Sequence, residues 1–177
     1  EDRLPQPAVT NFNTRHDNYV ARAKQGDIDL LFVGDSITQN WGGARGKEVW
    51  DKYYAPMKAA AFGVGYDRTQ HLLWRLQNGE AAGFSPKAVV VMIGTNNIGL
   101  NTPAEIAAGV GAIVHELRAR FATAKILLLG IFPRNAKDSR DRQLVAETNQ
   151  LIAPQHDGQR VFFLDLTDKF VGPDGNM

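Results

Sequence analysis

The chain has 177 residues, enough for one domain with a substantial core, and its 20 basic and 19 acidic residues give a formal net charge of +1. The chain therefore lacks the excess of positive charge that is typical of proteins that bind nucleic acids or membrane surfaces. The absence of cysteine excludes disulfides and thiolate chemistry in this chain, but it leaves the compartment open. The longest apolar run, Ile126–Phe132, is too short to span a bilayer.

The amino-terminal part differs from the rest of the chain. Residues 1–15 show little periodicity and predict an arm on the surface. We therefore divide the chain into residues 1–27, an arm and a first helix that packs on the domain, and residues 28–177, the domain itself. The first residue is Glu1 rather than methionine, which a cleaved export signal or a trimmed chain would explain. Of the two we expect export, to the periplasm or outside the cell.

Five short apolar runs without polar alternation predict strands that are covered on both faces. The runs are Ile28–Val33, Ala59–Phe62, Ala88–Ile93, Ile126–Ile131 and Val161–Leu164.

Helical patterns alternate with these runs. Thr102 to Glu105 reads as a capping box with proline at the first helical position, and apolar residues then recur at helical spacing. Two further helices are predicted over Arg68–Gln77, ending at Asn78-Gly79, and over Arg140–Ala153. This alternation predicts a three-layer α/β/α sandwich with a five-stranded parallel sheet in the flavodoxin-like order 2-1-3-4-5.

Three polar turns follow the first three strands. They are Gly34-Asp35-Ser36, Gly63-Val64-Gly65-Tyr66-Asp67 and Gly94-Thr95-Asn96-Asn97. In the predicted order the first strand lies between the second and the third, so the turns meet at one edge of the sheet. They would place a hydroxyl, free backbone N–H groups and a side-chain amide around one small volume. These groups suit acyl transfer, in which a serine attacks an ester carbonyl and N–H donors stabilise the negative oxygen.

These three turns resemble the first motif blocks of the SGNH (GDSL-type) hydrolases, most closely the branch of the platelet-activating-factor acetylhydrolase catalytic subunits. Leu72 to Glu80, Gly130 to Arg134 and Phe170 to Gly175 also resemble that branch. The resemblance covers most of the chain from about Leu30 onward. It implies an ester hydrolase that favours a small acyl group, such as acetyl, on a carbohydrate or a phospholipid.

The resemblance also implies roles for individual residues. Ser36 would be the nucleophile, and its N–H would be one donor of the oxyanion hole. The Asn96 amide would be a second donor. The third would be a backbone N–H at the position of Tyr66, where the branch usually has glycine, or at the neighbouring Gly65. If that position requires a positive φ, tyrosine carries a strain that glycine does not.

A base for Ser36 is missing from the chain. The resemblance implies an Asp-x-x-His motif after the last strand, but none of His16, His71, His115 and His156 follows an aspartate at that spacing. We therefore expect the catalytic Asp and His to lie beyond Met177. The chain would then be a fragment that is nearly inactive alone, and its absent carboxyl-terminal piece could stay bound as a separate chain.

Two other classes of function remain open. A non-catalytic binding domain on the same fold would explain the missing base. A nucleotide or flavin carrier is less consistent with the first turn, which has too little glycine and hydroxyl content to hold a phosphate. No metal-binding pattern or phosphate loop occurs, so neither a metal nor a cofactor is predicted. If one of the histidines present were the base, His71 would be the first to test.

Overall fold

A computed structural model describes the backbone of residues 6–177 and the side chains from residue 11 onward. Five parallel strands form a single sheet in the order β2-β1-β3-β4-β5, as predicted. The strands are β1 (Leu30–Gly34), β2 (Ala59–Gly63), β3 (Ala88–Met92), β4 (Lys125–Leu129) and β5 (Val161–Leu164). The predicted fold class is confirmed.

One helix precedes the first strand, one follows the last, and the others lie between strands. The helices are α1 (Gln6–Lys24), α2 (Ser36–Gln39), α3 (Ala44–Val49), α4 (Thr69–Arg75), α5 (Pro103–Arg120), α6 (Arg140–Ile152) and α7 (Thr167–Phe170). The capping box at the start of α5 is confirmed, because the Thr102 N–H donates to Glu105 Oε2 at 2.8 Å and the Glu105 N–H donates to Thr102 Oγ1 at 3.3 Å. After α4 the chain continues through one π-helical turn, and Asn78 and Gly79 leave helical geometry there.

The prediction of an arm over residues 1–15 is wrong from Gln6 onward, and residues 1–5 lie outside the described part of the chain. From residue 11 onward the buried and half-buried positions of α1 recur at helical spacing, with Phe12, Tyr19 and Ala23 among them, and aromatic contacts contribute to its packing. The Tyr19 ring stacks on Phe62 with ring centroids 4.7 Å apart, and the Tyr19 hydroxyl donates to the Gly63 carbonyl at 2.8 Å. The contacts of Tyr19 with Phe62 and Gly63 therefore anchor this helix on β2, the strand at the edge of the sheet.

The main core lies between the sheet and helices α4, α5 and α6. The predicted stripe of α5, which includes Val110, Ile113 and Leu117, is buried there against β-strand residues such as Val89 and Ile126. On the opposite face, the segment between β1 and β2 packs through three aromatic rings around Phe32. These rings belong to Trp41, Trp50 and Tyr54, with ring centroids 5.1–6.1 Å from Phe32. Both faces of the sheet are thus covered near β1, which fixes the position of the turn after it.

Candidate active site

The first turn places Ser36 at the start of α2. Asp35 caps this short helix, since its Oδ1 accepts a hydrogen bond from the Ile37 N–H at 2.9 Å. Ser36 is half-buried, and its hydroxyl has no hydrogen-bond partner among the described residues. As the first residue of the helix, it also has an N–H without an intrahelical acceptor. The turn therefore offers a hydroxyl and a backbone donor at the same residue.

The second turn packs directly against the first. A Cβ atom on Gly63 would lie 2.2 Å from the Gln39 nitrogen in α2, so only glycine fits at this contact. The Val64 N–H donates to the Gly34 carbonyl at 3.2 Å, and the Gly65 N–H donates to Gln39 Oε1 at 2.8 Å. Backbone and side-chain bonds thus hold the two turns together.

Tyr66 lies in the left-handed region of backbone conformation with φ +66°, and the residue is 69% exposed. A non-glycine residue in this region carries backbone strain. The Tyr66 N–H has no hydrogen-bond partner among the described residues, whereas the Gly65 N–H is already bound to Gln39. Of the two candidate donors in this turn, Tyr66 is therefore the one whose N–H is available to a ligand.

The third turn is a 3₁₀ turn over Thr95–Asn97. The Asn96 side-chain amide donates to the Asp67 carbonyl at 2.9 Å, which joins the third turn to the second. An amide nitrogen has two hydrogens, so this bond leaves one for a ligand. Arg134, just beyond β4, donates to the Thr95 carbonyl at 2.9 Å and holds the turn from the other side.

The structure therefore places the three predicted turns beside one another at the carboxyl edge of the sheet, linked by hydrogen bonds. The assigned roles of Ser36, Tyr66, Gly65 and Asn96 as nucleophile and donors stay predictions. The supporting roles of Gln39 and Arg134 were not predicted. The sequence around a polar side chain does not indicate which distant backbone group that side chain will bind.

Burial changes the proton affinity of the residue that precedes Ser36. Asp35 is fully buried, and its Oδ2 has no partner among the described residues. Desolvation raises the pKa of Asp35 from its ordinary 3.8 to about 6, against the lowering effect of the Ile37 N–H. Because this carboxyl caps α2, its protonation is expected to affect the stability of the turn.

No hydrogen bond joins a histidine to Ser36 within the described part of the chain. The Nδ1 atoms of three histidines lie 2.9–3.2 Å from other groups: His16 from Glu80, His71 from the Arg68 N–H and His156 from the Phe163 N–H. His115 is exposed on α5. The described residues also contain no group of three or more His, Asp or Glu that could hold a metal ion.

A cavity of about 460 Å³ lies next to the first turn, on the face of the sheet opposite α5. Its lining is mostly apolar. It includes Ile37 and Trp41 near the turn, Leu127 and Leu129 on β4, and Phe170 in α7. The Trp41 and Trp50 rings pack on each other, and Trp41 also lines this cavity. In the part of the chain that the structure describes, no helix has the length and apolar character needed to cross a membrane.

A buried charge network lies beneath the turns and was not predicted. Arg75 of α4 is fully buried and contacts the carboxylates of Asp67 and Glu80. The sequence contained one signal, since Arg75 is a charged residue between Leu72 and Leu76 on the apolar face of its helix. It could not show which carboxylates Arg75 would meet.

Comparisons with known proteins identify the family of the chain. The model of the GDSL-like lipase/acylhydrolase family matches residues 32–177. The platelet-activating factor acetylhydrolase IB subunit alpha2 of Rattus norvegicus is 40% identical over 163 residues, which are 92% of this chain and 69% of the relative. The alpha1 subunit of Homo sapiens is 37% identical over 163 residues, with 92% and 69% covered.

Solved structures share the fold at lower identity. A GDSL-like lipase from Bacteroides thetaiotaomicron superposes with a TM-score of 0.70 at 14% identity, covering 94% of this chain and 82% of the other. A carbohydrate acetylesterase from Sinorhizobium meliloti gives 0.61 at 20% identity, covering 84% and 88%. On the family match and the identity of its relatives, the chain belongs to the GDSL-like lipase/acylhydrolase family of ester hydrolases.

Proposed function

We propose that the protein is a serine esterase that removes a small acyl group, acetyl first, by way of an acyl-enzyme on Ser36. The observation that carries this proposal is the cluster of three hydrogen-bonded turns around the Ser36 hydroxyl, which has no partner among the described residues. Ser36 Oγ attacks the carbonyl carbon of the ester while a base takes its proton. The alcohol leaves with that proton, and water then releases the acid and restores the serine.

The oxyanion that forms during each step would lie between three donors. They are the N–H of Ser36, the N–H of Tyr66 and the second amide hydrogen of Asn96. Each such donor typically contributes about 100- to 1,000-fold to the rate. The bond from Gly65 to Gln39 supports Tyr66 as the third donor, since a donor that is already satisfied stabilises a new anion poorly.

The base in this proposal is the Asp-x-x-His pair that the family resemblance places after the last strand, beyond Met177. The absence of a bond from any described histidine to Ser36 supports an external base. The apolar cavity beside Leu127, Leu129 and Phe170 is where a carboxyl-terminal continuation of the chain, or the same piece as a separate chain, would pack. Residues 1–177 alone would then be nearly inactive, because donors without a base leave only residual catalysis.

The names of similar proteins suggest two substrate classes. The relatives are named for the acetyl ester of platelet-activating factor, and one structural neighbour is described as a carbohydrate acetylesterase. A non-catalytic binding domain is the second candidate, because the lack of a histidine bound to Ser36 among the described residues fits a missing base as well as an external one. Reading the gene beyond the codon for Met177 separates the two, since an Asp-x-x-His within about twenty residues supports the enzyme.

The decisive assay measures hydrolysis of an acetylated sugar and of an acetyl phospholipid by the full-length protein and by Ser36→Ala. We expect Ser36→Ala to lose at least about 1,000-fold in kcat on the preferred substrate. The matched control is Ser85→Ala, which removes an exposed hydroxyl before β3, at the opposite end of the strand from the site. Equal rates for Ser36→Ala and wild type would refute the nucleophile, and inactivity of the wild type on every ester would favour the binding domain.

A further inference from the structure

The guanidinium of Arg75 has no exposed surface and binds two carboxylates. Its Nε donates to Asp67 Oδ2 at 2.8 Å, and its Nη2 lies 2.7 Å from the same oxygen. Its Nη1 donates to Glu80 Oε2. The other oxygen of Glu80 lies 2.9 Å from His16 Nδ1 on α1. Two carboxyl groups therefore flank this buried cation, and its charge opposes the rise in their pKa that burial causes.

The same guanidinium also binds the backbone of two strands. Its Nη2 donates to the Gly34 carbonyl at 3.1 Å, and both Nη atoms donate to the Phe62 carbonyl at 3.3–3.4 Å. Gly34 stands two residues before Ser36, and Phe62 stands four residues before Tyr66. One planar group thus fixes the ends of β1 and β2 relative to each other, immediately before the turns that carry two of the proposed donors.

The third proposed donor is connected to the same group through Asp67. The carboxylate of Asp67 binds Arg75, and its backbone carbonyl accepts the hydrogen bond of the Asn96 amide at 2.9 Å. Asp67 directly follows Tyr66 in the chain, so its position sets both the Tyr66 turn and the orientation of Asn96. All three donors therefore depend on contacts that end at one buried guanidinium.

We propose that Arg75 is a positioning residue that sets the spacing of the oxyanion donors of Ser36, Tyr66 and Asn96. This inference rests on the proposed function. A catalytic group must lie within about 0.5 Å of its productive position, so a small change in the distance between the turns weakens all three donors together. The rigid fork of an arginine can hold two carbonyls and two carboxylates at once, whereas a lysine ammonium cannot.

Arg75→Lys in the full-length protein tests this inference, since it keeps the charge and loses the fork. We expect kcat to fall about 10- to 100-fold with KM within about twofold, because the donors act on the transition state rather than on the bound ester. The rate of Ser36 inactivation by a phosphonate ester should fall in parallel, since its phosphoryl oxygen occupies the same hole. If Arg75 contributed only to the overall stability of the fold, these rate constants would not change in a protein that remains folded.

The control is Leu117→Ala, which removes a fully buried side chain of α5 without touching the turns. It should lower the thermal midpoint at least as much as Arg75→Lys but keep kcat within about twofold, with all assays run well below unfolding. An unchanged kcat in Arg75→Lys, or an equal loss in Leu117→Ala, would overturn the inference.

If Arg75→Lys does not fold, Asp67→Asn tests the inference instead. This change weakens the contact between Arg75 and the second turn, while asparagine keeps the shape of the aspartate side chain. We expect the same loss of kcat, and an unchanged kcat would overturn the inference. Ser36→Ala is assayed in the same series. An active Ser36→Ala refutes the proposed function itself, whereas an inactive Ser36→Ala beside fully active Arg75 and Asp67 variants refutes only the role of Arg75.

Discussion

Replacing Asp35 by asparagine should make the protein more stable at pH 8 but not at pH 4. The Asp35 carboxyl is fully buried beside Ser36, and one of its oxygens has no partner among the described residues. Burial raises its pKa from 3.8 to about 6. The folded state therefore binds this proton more tightly than the unfolded state. The stability that results is fully present below about pH 4 and is lost as the pH rises through 6.

The pKa difference sets the magnitude of the effect. A rise from 3.8 to about 6 corresponds to about 3 kcal/mol of unfolding free energy that the wild type loses between pH 4 and pH 8. Asparagine stays neutral and can still accept the hydrogen bond from the Ile37 N–H. The variant avoids that loss, so its advantage over the wild type should grow from near zero at pH 4 to about 1–3 kcal/mol at pH 8.

Urea unfolding of both proteins across this pH range measures the difference directly. The variant-minus-wild-type difference is interpreted, and it includes a smaller contribution of the same sign from Asp67, whose pKa the Asp35 charge also raises. Asp29→Asn is the control of opposite sign, because the hydrogen bond from Lys87 lowers the pKa of Asp29. Its removal should not stabilise the protein at pH 8. A difference for Asp35→Asn that is independent of pH, or a less stable variant at pH 8, would refute the reasoning.

Two further predictions concern the second turn, and thermal unfolding measures both. Tyr66→Gly should raise stability by about 0.5–1 kcal/mol, or about 1–4 °C in Tm, because glycine adopts φ +66° without strain. A lower Tm would mean that the exposed tyrosine side chain makes a compensating contact. Gly63→Ala should cost at least about 2 kcal/mol or prevent folding, since its Cβ would lie 2.2 Å from the Gln39 nitrogen. Gly42→Ala, with no atom within 4 Å of the new Cβ, should stay within about 0.5 kcal/mol of wild type, and similar losses for both would contradict the packing argument.

The sequence predicted the sheet well because its strands are continuous apolar runs, and their order follows from general rules for parallel sheets. It also predicted which turns would meet, since they follow neighbouring strands. It could not choose between Gly65 and Tyr66. That choice depends on a side-chain bond from Gln39 and on a backbone dihedral angle, and neither has a local sequence signature. The first part of helix α1, from Gln6 to residue 15, was predicted as an arm because polar residues interrupt its apolar positions in the sequence.

The charge network around Arg75 has a consequence for sequence variation in the family. Losing one member of a buried ion cluster leaves an uncompensated charge that typically costs about 3–5 kcal/mol, whereas exchanging the whole cluster for apolar residues can be neutral. Homologous sequences should therefore keep or lose Arg75, Asp67 and Glu80 together. Position 16 should covary with position 80, because His16 pairs with the second oxygen of Glu80. Residues that lie 64 positions apart in the sequence would then be conserved or substituted together.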